Sequence, residues 1–178
     1  GKKDGELSDG TYTFTITVTD AAGKTATVQR TVTVDTIKPE MGTNVVDGSQ
    51  GTDINGNYWF STNQVPILIR AEDDTNGTGI SKVEYSLSSD FASSAALATS
   101  SFKLSGESSK KEGWAGTVTC SREGANTIYV RTTDTAGNKI EKSITAYVDT
   151  KSPAFTCTNS NTTITGTQVS TESELIVN

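Results

Sequence analysis

Four aspartates, Asp35, Asp73, Asp74 and Asp134, are the side chains of this chain best suited to chemistry. A carboxylate is a hard oxygen donor, and several brought together form what calcium binds. The chain has no histidine, which removes histidine-based general bases, triads and metal sites. Cys120 therefore lacks a histidine partner, and it sits in a strand-like run, so it is a poor nucleophile. Gly77-Thr78-Gly79 lacks the third glycine and following helix of a phosphate loop and reads as a turn. Paired carboxylates hydrolyse glycosides when a cleft holds them, but nothing in the sequence marks such a pair. No catalytic residue is assigned, and the expectation is a protein that is not an enzyme.

The elements that must position those aspartates are written twice. Residues 10–39 read GTYTFTITVTDAAGKTATVQRTVTVDTIKP, and residues 124–153 read GANTIYVRTTDTAGNKIEKSITAYVDTKSP. Gly10/Gly124, Asp20/Asp134, Gly23/Gly137, Asp35/Asp149 and Pro39/Pro153 all share one offset (134 − 20 = 114). A fixed internal offset points to repeated modules. Tyr12, Phe14, Ile16 and Val18 alternate with threonines, the period of a half-buried antiparallel strand. Asp20-Ala21-Ala22-Gly23 fits a type I turn, with Asp able to accept from N–H groups just ahead. A second alternating run carries Ala26, Val28, Val32 and Val34 on one face. Each copy is thus a β-hairpin that ends at Asp-Thr, with a proline opening the next module.

A strand, then T-D-x-A-G-N/K, then a strand ending V-D-T-x-x-P resembles the tandem bacterial immunoglobulin-like repeats of large surface and adhesin proteins. Residues 71–86, AEDDTNGTGISKVEYS, resemble the loop between the second and third strands of that family. The resemblance implies an all-β fold, an immunoglobulin-like antiparallel β-sandwich in tandem modules. Residues 1–36 are then the closing hairpin of one module, 37–150 a complete module, and 151–178 the first strands of the next. About seven strands with turn signals between them fit residues 39–149. The first hairpin has no sheet partner of its own and must pack on something else, because an isolated hairpin is marginal.

In such a sandwich the end of one module abuts the top of the next. Asp35 ends the first, and Asp73, Asp74 and Asp134 lie on top loops of the second. Two readings are open. The four carboxylates hold calcium at the inter-module junction, or Asp134 caps its own turn, Asp35 caps the linker, and Asp73 and Asp74 are solvated. Tyr58, Trp59 and Trp114 also carry two readings: a platform stacking on sugar rings, or tryptophan packing between the sheets. Residues 88–101, rich in serine and alanine, read as a loop with one helical turn.

Composition narrows the role. The formal net charge is −6 and the pI about 4.7, which argues against nucleic acid and anionic membrane surfaces. No run of 18 apolar residues is present, so nothing here inserts in a membrane. The segment reads as part of something longer, opening mid-module. Cys120 and Cys157 are too few for a disulfide framework. They read as small strand residues or as one bridge between neighbouring modules. The expectation is an extracellular spacer, secreted or at the cell surface. Its neighbours stack through short proline-containing linkers into a semi-rigid stalk that presents a distal functional domain. The alternatives are an adhesive module binding a glycan or host protein, or an accessory module of a secreted glycoside hydrolase.

Overall fold

The computed structural model describes residues 5–42, 48–49, 51–104, 106–158 and 163–166. Among them are fifteen strands and no helix. In chain order these are β1 (Gly10–Thr19), β2 (Thr25–Val34), β3 (Glu40–Met41), β4 (Gly51–Thr52) and β5 (Tyr58–Phe60). Then come β6 (Gln64–Ile69), β7 (Ala71–Glu72), β8 (Ile80–Ser86), β9 (Ala95–Ala96) and β10 (Ala98–Phe102). The last are β11 (Lys111–Thr119), β12 (Gly124–Asp134), β13 (Lys139–Val148), β14 (Phe155–Thr158) and β15 (Thr163–Gly166).

The fold is the expected immunoglobulin-like β-sandwich. One sheet runs β4-β5-β13-β12-β8-β9 and the other β10-β11-β6, with β3-β7 as a small third ladder. The core fills from both: Val65, Ile67, Ile69 and Val118 from one side, Val83, Ile128, Val130 and Ala146 from the other. Alternation explains the choice, since Val65, Ile67 and Ile69 point inward while Pro66 and Leu68 stay half-buried. Pro66 is tolerated because β6 is an edge strand, where its missing N–H removes no ladder bond. Cys120 is a buried free thiol in this core, and burial raises its pKa. The Cys157 side chain, the other half of the bridge left open by the sequence, lies outside the described side chains. Of the strands that the sequence suggests at residues 41–46 and 174–177, residues 43–46 and the whole of 174–177 lie outside the described residues.

Two expectations are corrected. Residues 88–101 are not a loop with a helical turn: they carry β9 and most of β10. Leu97 drives this by dropping into the core beside Gly116, where a Cβ would lie 2.6 Å from Leu97 Cδ2. Phe91, in the left-handed region at φ 54°, is buried under the Arg131 guanidinium, 4.1 Å from the ring centroid. Trp59, for its part, does not pack between the sheets. Phe60 takes the core position, so the pleat sends Trp59 to the outer face, against Tyr147 at 5.0 Å between centroids. Trp114 is half-buried and packs against the core from the other sheet.

The hairpin β1–β2 stands apart as a two-stranded sheet of its own. Its threonine face is laced by Thr11–Thr33 and Thr17–Thr27 hydroxyl bonds.

Candidate metal site at the Asp35 junction

Each carboxylate at the junction is held by the local turn that its sequence encodes. In the 134–138 turn, Asp134 Oδ1 accepts from the N–H groups of Gly137 at 2.6 Å and Asn138 at 2.8 Å, and Oδ2 from the Asn138 amide at 2.8 Å. Gly137 supplies the positive φ this turn needs. Asp20 repeats the device, accepting from Ala22 and Lys24. In the 73–79 loop Asp73 Oδ2 accepts from Gly79 N–H at 2.7 Å, and Asp74 Oδ2 from Asn76 N–H at 3.1 Å. Gly77 is required here by space, since a Cβ would sit 2.5 Å from Asp73 Oδ2 and 2.6 Å from Asp74 Oδ1.

Asp35 joins the two parts. Its Oδ1 accepts from Ile37 N–H, and its Oδ2 crosses to the Thr78 N–H and hydroxyl. Those two bonds, the backbone one first, hold its carboxyl below the usual range. Asn138 Nδ2 donates back to the Asp35 carbonyl at 3.0 Å, and the Thr78 hydroxyl also accepts from Ala136 N–H. Thr135 closes the stitch on Gly79 O through its N–H and hydroxyl. The linker is thus pinned to both top loops without any ion. One step earlier, Asp9 Oδ1 accepts from the Thr36 N–H and hydroxyl. Glu123 does the same for Thr150 at the offset of 114.

Of the four aspartates, the structure brings together Asp35, Asp73 and Asp134, each with an oxygen within 4.8 Å of the others, and leaves Asp74 outside that group. Oxygens on one calcium lie about 2.3–2.6 Å from it, hence within about 5 Å of one another. Asp35 and Asp134 are buried, and Asp73 Oδ1 is a buried oxygen with no hydrogen-bond donor. No lysine or arginine pairs with any of the three among the described residues; the ion pairs there involve Glu84, Glu107 and Glu141. The donor set therefore fits a hard divalent cation. Turn capping and ion binding are compatible, since Asp35 Oδ1 and Asp134 Oδ2 each accept one hydrogen bond and Asp73 Oδ1 none, which leaves a lone pair on each for a metal.

The contacts the sequence could not reveal were those of Thr78 and Asn138, which join segments 43 and 103 residues apart. The aromatic residues do not form one platform: Tyr58 and Trp59 lie in one sheet and Trp114 in the other. No helix among the described residues is long and apolar enough to cross a membrane. No curated protein matches the chain. Residues 2–36 match the family model described as Bacterial Ig-like domain, a kind of extracellular structural or adhesive module, and that stretch holds β1, β2 and the Asp35 from which the junction is built.

Proposed function

We propose that this chain is a spacer segment of a bacterial surface protein, in which stacked immunoglobulin-like modules form a semi-rigid stalk. Asp35, Asp73 and Asp134 hold a divalent cation, calcium by donor type, at the junction, with Asp74 beside them. The observation that carries this reading is Asp35 reaching out of its own hairpin to both top loops of the sandwich. The cation would neutralise three carboxylates that have no cationic side chain among them, and would lock an arrangement the hydrogen bonds already orient. The Asp9–Thr36 and Glu123–Thr150 bonds at equivalent positions support a junction built to one plan.

The test is a thermal melt in millimolar calcium against excess chelator. A ligand of the native state stabilises by about 2.7 kcal/mol at a hundredfold excess over Kd, a shift of several degrees for a domain of this size. Asp73→Asn is the control, because Asp73 Oδ1 makes no hydrogen bond to lose. A rise that the variant abolishes supports the metal-stiffened stalk. No rise leaves the junction to its hydrogen bonds alone.

A second reading, adhesion to a glycan, rests on the half-exposed Trp59–Tyr147 pair. Asp53 Oδ2 orients the indole by accepting its N–H at 3.2 Å. Glycan-array binding that Trp59→Ala removes would favour it.

A further inference from the structure

β11 lacks a neighbour along part of one edge. On one side it pairs with β6 over residues 114–119. On the other, β10 reaches it only over residues 111–115, because the chain ahead of β10 belongs to the opposite sheet, where Leu97 N–H donates to the Val83 carbonyl. No strand among the described residues pairs with 116–119 on that side. Thr117 lies opposite Pro66, which has no N–H to offer. The N–H and C=O of one residue in an antiparallel strand point the same way, and alternate residues repeat it. Those of Thr117 and Thr119 therefore turn to the open edge, while Cys120 N–H goes back to Asn63 O beside β6. On the open edge Thr117 O accepts from the Tyr85 hydroxyl, which reaches across from β8 at 3.3 Å. A side chain stands there where a further strand would put its N–H.

The gap between the sheets opens at the same place. Along the inward face of β8 and just past it, Val83 is 1% exposed, Tyr85 half-buried and Leu87 47% exposed. The result is a cleft of about 380 Å³ bordered by Tyr85, Leu87, Ser88, Ala95, Val118 and Thr119, within the size range of binding pockets. Its described lining carries no charge, and Val118 at its floor belongs to the core. We propose that this cleft takes an extended segment of a partner protein, uncharged and bearing an aliphatic side chain, which adds as a short strand antiparallel to β11 along residues 116–119. The segment's main chain bonds to Thr117 and Thr119, taking the place of the long Tyr85 contact. Its aliphatic side chain enters between Leu87 and Val118, where a charged one would be buried with no counter-charge. At the other edge of the same sheet, Pro66 of β6 blocks such addition. The inference is independent of whether the Asp35 junction binds a cation.

The experiment is titration of the isotope-labelled chain with the capped peptide Thr-Ile-Thr-Val-Thr, followed by NMR. Its sequence is that of residues 15–19, an uncharged run alternating aliphatic and threonine. At saturation the Thr117 and Thr119 amides exchange at least about tenfold more slowly, and the Leu87 and Ala95 methyl signals shift. Leu87→Asp and Ala95→Lys, both at exposed positions, each weaken binding at least about tenfold. Tyr85→Phe binds at least as tightly as the native chain, since its hydroxyl is displaced. The capped peptide Thr-Asp-Thr-Asp-Thr does not bind. No binding of the aliphatic peptide at millimolar concentration overturns the proposal, as does binding that survives both charged variants. Methyl shifts without slowing at Thr117 and Thr119 overturn strand addition in favour of a simple apolar pocket. Slowing in the chain alone that grows with its concentration overturns a foreign partner in favour of a second copy.

Discussion

Asp35 and Thr78 are joined twice: Asp35 Oδ2 accepts from the Thr78 backbone N–H and from its hydroxyl, both at 2.8 Å. The hydroxyl oxygen in turn accepts from Ala136 N–H at 3.0 Å. One side chain therefore ties the end of the first hairpin to two loops of the sandwich. Thr78→Val keeps the backbone bond and the shape but removes both hydroxyl contacts. The melting temperature falls by about 4 °C, and residual dipolar couplings show the hairpin reorienting relative to the sandwich. Thr78→Ser restores both.

Gly77 is the tightest point of the acidic loop. A methyl group there meets Asp73 Oδ2 and Asp74 Oδ1 well inside contact distance. Gly77→Ala loses about 1–3 kcal/mol, the usual cost of overpacking, read from the urea midpoint at unchanged slope. Because Asp73 must move, any response to calcium falls with it.

Asp53 sets an acid limit on the β4–β5 turn. Its carboxylate accepts first from the Asn57 side chain, then from the Asn57 backbone, and also from Trp59 and Asn55, against the opposing effect of burial. Together these lower its pKa from 3.8 to about 2. A depressed folded pKa means that the unfolded chain takes up its proton first as pH falls. The stabilisation is therefore complete above about pH 4 and is lost as pH drops toward 2. Asp35, also held low, adds a dependence of the same sign. Denaturation midpoints measured from pH 5 to pH 2 fall for the native protein and fall less for Asp53→Asn.

Arg70, just past the end of β6, ties that strand to the segment between β10 and β11. Its guanidinium donates to the carbonyls of Lys111, Glu112 and Phe102 and to the Glu107 carboxylate, and lies 4.0 Å from the Phe102 ring centroid. An ammonium cannot reach all of these in the fixed fork they require. Arg70→Lys costs about 2 kcal/mol in urea denaturation, chiefly from backbone carbonyls left without a donor.

Much of this architecture was legible in the chain. Threonine alternating with Tyr12, Phe14, Ile16 and Val18 names a strand and its two faces, because the pleat has period two and acts locally. The aspartate turns at Asp20 and Asp134 were equally legible, since the accepting oxygen and donating N–H groups lie within four residues. The shared offset of 114 carried the pairing as well, and both hairpins adopt one register.

What the sequence by itself determined is therefore what neighbours along the chain decide: strand faces, turns, the common register of the two hairpins and the acidic, histidine-free chemistry. The tertiary structure alone decided which residues meet across distance. It sent Trp59 outward because Phe60 took the core, folded 88–101 into strands because Leu97 found room above Gly116, and left Asp74 out of the group formed by Asp35, Asp73 and Asp134. Each outcome depends on packing between segments far apart in sequence, and no local pattern encodes which of two candidate side chains fills a given space.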